Sequence, residues 1–280
     1  MKIQSMRLHG KTVIIPGASR QIGRSIARKF ANHGATLILP VYDWPESIVD
    51  MEKEFSAAGF KYFLFHADLR KKDDVIKLSE FIKAQTKSLD FLINNIERGG
   101  MPVVHGSYDL PHNEDQWDVE FDTTLKSKWL LFHHLFPLMQ GRTGGGVVNI
   151  SSIAGITGRS GPAAVFFNDG YSAANKAIQS FTETWARDAA PSVRVNELQI
   201  GLVQSRHGEG TRGWAALSEQ EKENIHKDIL LGRTGFQEEV ADCVYFLAVE
   251  ATYITGARLC MDGGFTLGCN NVPPMPKGIL

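Results

Sequence analysis

Seven short runs rich in β-forming residues alternate with longer stretches of helical period, and this alternation constrains the fold more than any other feature. The runs are residues 12–15 (TVII), 36–39 (TLIL), 61–65 (KYFLF), 91–94 (FLIN), 147–150 (VVNI), 194–200 (RVNELQI) and 257–261 (ARLCM). Helical period occupies 23–33, 45–58, 72–85, 116–140, 172–190 and 238–248. Strands separated by helices form a parallel sheet covered on both faces, so the expected fold is a doubly wound α/β domain. In such folds ligands sit beyond the carboxyl ends of the strands, and residues following each strand carry the chemistry. The pattern predicts a single Rossmann-type domain over 1–280. A helical lid at about 204–228 precedes the last strand, with Ser218 opening a capping box (SEQE), and a Pro-rich tail covers 270–280.

Composition narrows the function classes. The chain has 280 residues, 43% of them hydrophobic, which is enough to bury a substantial core. A formal charge of -1 provides no basic field for nucleic acid or an anionic membrane. No apolar run reaches the length of a membrane span and the first residues lack a signal-peptide core, so the expected location is cytoplasmic. Cys243, Cys260 and Cys269 form no CxxC pair, and no ligand spacing predicts a metal site.

Two segments carry chemistry. PGASRQIG (16–23) follows the first strand and opens a helix, where backbone amides and the helix dipole suit a pyrophosphate. YSAANK (171–176) opens another helix. A helix advances about 100° per residue, so Ser172, four positions before Lys176, shares its face. Tyr171, five before it, lies about 140° away unless a π-bulge absorbs a residue.

These motifs, in this order, resemble the short-chain dehydrogenase/reductase family over about residues 8–268. PGASRQIG stands where the family has TGxxxGxG, with Gly17 and Gly23 kept and Gln21 in place of the middle glycine. Asp68 and Leu69 match the acidic pair beside adenine, NNIE (94–97) the NNAG segment, Ser152 the catalytic serine and Lys176 the lysine of YxxxK. The lid and MDGG (261–264) look most like the pteridine-reductase branch. The resemblance implies a nicotinamide cofactor held by Gly17, Ser19, Arg20, Gln21, Ile22, Gly23, Tyr42, Asp43, Asp68, Leu69, Asn94, Ile96, Lys176, Gly201, Val203 and Ser205. It implies that Ser152 orients the substrate oxygen, that Lys176 binds ribose and that a phenol supplies the proton. A phenol of ordinary pKa near 10 serves only when neighbouring positive charge draws it down.

The departures from the family pattern are as specific. Ser172 aligns with the catalytic tyrosine, and Tyr171 reaches the site only after a local helix shift. Thr124 takes the place of a relay asparagine, and Glu97 puts a carboxylate beside the ribose. Arg20 favours the 2′-phosphate of NADP while Asp43 would repel it, and the balance tips to NADP(H) over NAD(H). In the lid, Arg206, His207, Glu209, Arg212 and Trp214 suit an acidic or planar substrate. The expected function is an NAD(P)(H)-dependent oxidoreductase acting on a carbonyl or alcohol. The alternatives are non-redox acid/base chemistry (elimination, isomerisation or cyclisation) and a fold kept without catalysis. A homodimer or homotetramer through the helices at 116–140 and 172–190 is the expected assembly.

Overall fold

The computed structural model describes residues 7–86, 88–97, 114–141, 143–160, 169–205, 209, 214–215 and 217–268. The expected tail at 270–280 and the lid residues Arg206, His207 and Arg212 lie outside them.

Seven parallel strands form one sheet in the order β3-β2-β1-β4-β5-β6-β7. They are β1 (Thr12–Ile14), β2 (Thr36–Val41), β3 (Tyr62–His66), β4 (Phe91–Asn94), β5 (Gly145–Ser152), β6 (Val193–Ile200) and β7 (Arg258–Met261). The order reverses between β1 and β4, which is where a doubly wound sheet leaves a crevice. β4 and β5 are buried at every position, as strands covered on both faces must be. At the sheet edge, β7 exposes Arg258, Leu259 and Cys260.

Helices α1 (Gln21–Asn32), α2 (Pro45–Ala57) and α9 (Gln237–Tyr245) cover one face. Ile26, Phe30, Met51, Phe55, Val240 and Val244 from these helices pack with Val13, Leu37 and Ile93 of the sheet. Helices α3 (Lys72–Gln85), α5 (Ser127–Leu135) and α7 (Asp169–Ala189) cover the other, burying Leu78, Ile82, Leu131, Leu135 and Trp185 against Ile14, Leu92 and Val147.

The helix expected over 116–140 is broken. It comprises α4 (Glu114–Phe121), a π-helical turn at Asp122–Lys126, α5, and a 3₁₀ turn at Phe136–Leu138. Pro137 has no amide to continue the α pattern, so α5 ends there. The π turn admits an extra residue around the fully buried Thr124. Helix α7 runs as a continuous α-helix from Asp169 to Ala189, so no π-bulge shifts Tyr171 relative to Lys176. A short helix α6 (Ala154–Thr157) follows β5. The lid helix α8 (Glu219–Asp228) starts at the expected capping box: the Glu221 amide donates to Ser218 Oγ at 3.3 Å and the Ser218 amide to Glu221 Oε2 at 2.8 Å. A bridge between Val203 and Gly235 closes the lid's base. Among the described residues no helix is long and apolar enough to cross a membrane.

Candidate active site

A cleft of about 530 Å³ opens at the carboxyl ends of β1, β2, β3 and β4. Its floor is the turn between β1 and α1. Gly17 has φ +70°, and a Cβ there would lie 2.7 Å from the Asn95 carbonyl oxygen. At Gly23 a Cβ would lie 2.1 Å from the Gly17 carbonyl oxygen, so this glycine lets α1 start directly against the turn. Gln21, where the family pattern has glycine, takes φ 44°. An arginine side chain has no acceptor, so Arg20 at the N-cap gives α1 no side-chain cap, and the helix starts at the cleft wall. Ser19, Gln21 and Ile22 complete this wall.

The far end of the cleft is aromatic and cationic. Tyr42, Asp43 and Trp44 follow β2, and Trp44 has φ 69°. The Arg20 guanidinium lies 3.7 Å from the centre of a Trp44 ring. Asp68 is buried and takes a bidentate ion pair from Arg70, both N–H···O distances being 2.8 Å. This pairing holds the Asp68 carboxyl below its usual range and raises Arg70. Arg70 also lies 5.7 Å from the Tyr42 ring. Sequence reasoning passed over Arg70 and Trp44, whose signal was adjacency to the acidic residues already singled out. The glycine cradle, the helix start and this end wall fit an adenine dinucleotide.

The reacting end joins β5, α7 and the loop after β4. Tyr171 is buried in the first turn of α7 and donates from Oη to Glu97 Oε1 at 3.0 Å. The neighbouring Ser152 hydroxyl, which accepts the Ala154 amide at 3.2 Å, acts on the phenol in the lowering direction. Burial, followed by the Glu97 charge, pushes the Tyr171 phenol well above its ordinary value. A chain of amides fixes α7 on the sheet: Asn94 Nδ2 donates to Asn149 Oδ1 at 2.7 Å, and Asn149 Nδ2 to Thr182 Oγ1 at 2.9 Å. Ile96, Glu97, Thr123 and Ser205 line the cleft beside this group.

Several expected positions lie away from the cleft wall or are engaged elsewhere. Lys176 is exposed and does not line the cleft. The buried stripe of α7 runs through Tyr171, Ala174, Asn175, Ile178 and Thr182, so the residue sharing Tyr171's face is Asn175, and the next position turns about 100° outward. Asn175 is fully buried and donates from Nδ2 to the Tyr171 carbonyl at 2.9 Å. Ser172 donates to the Ala154 carbonyl at 2.8 Å, holding α7 against α6 instead of facing Ser152. The Thr124 hydroxyl donates to Glu120. Asn94 donates from Nδ2 to Asn149 while its buried Oδ1 accepts no hydrogen bond from the described residues, and Val203 is buried in the lid base. Gly201 lies against Asp262, which a Cβ would meet at 2.7 Å. Trp214 packs in the lid's own core with Ile225, Leu217 and Phe265. Glu209 accepts from Thr234 and pairs with His226 at 3.6 Å, anchoring the lid.

A consequence is testable. Lys176→Ala is expected to leave nucleotide affinity within about twofold, as for other exposed substitutions, when measured by calorimetry. A tenfold loss would return Lys176 to the site.

The family description "enoyl-(acyl carrier protein) reductase" matches residues 17–266. With this fold and cleft, the chain belongs to the short-chain dehydrogenase/reductase family. It is 29% identical over 264 residues to a 3-oxoacyl-(acyl-carrier-protein) reductase of Thermotoga maritima, covering 94% of this chain and 100% of the relative. It is 30% identical to an NAD-dependent glycerol dehydrogenase of Listeria innocua, covering 92% and 94%. A solved short-chain dehydrogenase/reductase from Serratia marcescens superposes with a TM-score of 0.77 at 25% identity, covering 93% of this chain and 99% of that one.

Proposed function

We propose that the protein is an NAD(P)(H)-dependent oxidoreductase that interconverts a carbonyl and an alcohol. The carrying observation is the buried Tyr171 phenol, hydrogen-bonded to Glu97 and acted on by Ser152 at the end of β5, beside a glycine-cradled dinucleotide cleft. Gly17, Gly23 and the α1 amides would hold the pyrophosphate, and Asp68 and Leu69 the adenine. The bound nicotinamide supplies hydride for reduction and takes it up in oxidation. Ser152 orients the substrate oxygen by donating a hydrogen bond where negative charge develops. Tyr171 moves the proton at that oxygen. Because the phenol is held protonated, it accepts the alcohol proton in oxidation only as it passes its own to Glu97 Oε1. Reduction is the reverse.

Mixing the protein with NADPH or NADH and a panel of small carbonyls tests this reading. The expected result is loss of nicotinamide absorbance equal to the alcohol formed. Turnover of a substrate without that loss would replace the redox reading by acid/base chemistry.

Two arginines near the end of β2, Arg20 and Arg70, favour NADP(H), and Arg70 is already matched by Asp68. Arg20→Ala is expected to weaken NADPH binding by roughly 10- to 100-fold, the worth of a charge-assisted hydrogen bond to phosphate. NADH affinity should stay within about threefold. Equal loss for both nucleotides would mean Arg20 serves the pyrophosphate instead. The open edge of β7 and the exposed Trp129 on α5 support a homo-oligomer joined through these faces.

A further inference from the structure

Lys128 is the most unusual residue of α5. It is fully buried in a helix whose neighbours Leu130, Leu131 and Leu135 are core residues. Lysine is almost never fully buried without partners. Its Nζ donates to the Ile96 carbonyl at 2.5 Å and to the Thr124 carbonyl at 2.9 Å. The first of these acceptors is one residue from Glu97, and the second belongs to the π turn. Three carboxylates act on its charge: Glu97 from the loop after β4, Glu120 from α4 and Glu197 from β6. Glu120 accepts the Thr124 hydroxyl and Glu197 accepts Ser151 Oγ, whereas Glu97 accepts the Tyr171 phenol.

We propose that Lys128 supplies positive charge to this active site: entering from α5, its ammonium helps keep Glu97 ionised so that Glu97 can take the proton Tyr171 releases. It is a positioning residue, acting on the reaction through Glu97. The inference rests on the redox reading for its use but not for its test. It also accounts for Asn175 and Lys176. With the charge delivered from α5, the buried position one turn after Tyr171 holds a neutral asparagine, and the lysine beside it lies in solvent. Burial draws Lys128 down to about 8, and the three carboxylates oppose that shift. The ammonium is thus mostly charged at neutral pH.

The experiment is carboxyl ¹³C NMR titration of the nucleotide-free protein, with Glu97→Gln assigning the signal. In Lys128→Met, which keeps the stem and removes the charge, Glu97 should titrate about one pH unit or more higher than in the wild type. The acid limb of alcohol oxidation should rise by the same amount. The sign follows from the chemistry: losing the cation destabilises the carboxylate, so the acceptor is lost at a higher pH. An unmoved Glu97 titration overturns the proposal, as does an unmoved acid limb in an enzyme that transfers hydride. Should Lys128→Met fail to fold, ¹⁵N titration of the Lys128 ammonium in Glu97→Gln reads the same coupling from its other side. There the ammonium should titrate lower than in the wild type, and no change would again overturn the pairing. Absence of hydride transfer in the wild type would defeat the redox reading while leaving these titrations to decide the pairing.

Discussion

Tyr171→Phe is expected to slow hydride transfer by about 10²- to 10⁴-fold, the usual worth of a positioned general acid or base. Nucleotide affinity should stay within about threefold, because the phenol faces Glu97 and Ser152 and is absent from the dinucleotide wall. Single-turnover absorbance measurements separate the two quantities, since they report chemistry apart from product release. The ring keeps its place in the buried stripe of α7, so a lost rate with an unchanged melting temperature assigns the defect to the hydroxyl. A loss below tenfold would show that the proton travels by another group.

Gly23→Ala is the second large effect. The added Cβ would stand 2.1 Å from the Gly17 carbonyl oxygen and 2.7 Å from Asn95 Nδ2. The first neighbour is backbone, so the turn itself must move. Overpacking of this kind costs about 1–3 kcal/mol, seen as a lower melting temperature. The same displacement pulls the α1 amides from the position that a pyrophosphate requires, and nucleotide affinity should fall by more than about 100-fold, a loss of roughly 2.7 kcal/mol. Calorimetry with NADPH reads the affinity. Retained micromolar binding would show that the glycine cradle does not hold the nucleotide.

The sheet and the nucleotide half of the cleft were legible in the sequence because both depend on local pattern. Each strand run is flanked by a helical stretch of different period, and each informative turn directly follows a strand. Gly17, Gly23, Asp68 and Leu69 are therefore in place by chain order alone. The reacting end depends on rotation about helix axes, and there one residue decides the outcome. Anchoring the YxxxK spacing on Lys176 leads back to Ser172. Anchoring it on Tyr171 leads forward to Asn175, and the burial stripe follows the second register. The stripe's spacing was present in the sequence, but a lysine is the more familiar landmark. Lys128 offers a different signal, a charge at the head of the apolar run WLLF (129–132), whose meaning depends on the Ile96 and Thr124 carbonyls that converge on it. Trp214 carries the opposite signal: by sequence a lone aromatic in a polar loop suits a platform, whereas the structure sets it in a small core with Ile225, Leu217 and Phe265.

Gln21 and Trp44, the non-glycine residues with left-handed backbone among those described, face each other's loops across the rim of one cleft. Such conformations cost of order 1–3 kcal/mol each. Glycine at either position would relieve that cost, yet at position 44 it would also remove the indole on which Arg20 rests. The loop would then be free to sample many shapes before a nucleotide arrives, and ordering it would be charged against binding. At this rim one residue thus does two jobs: Trp44 holds the left-handed turn and carries the guanidinium of Arg20 in the cleft wall.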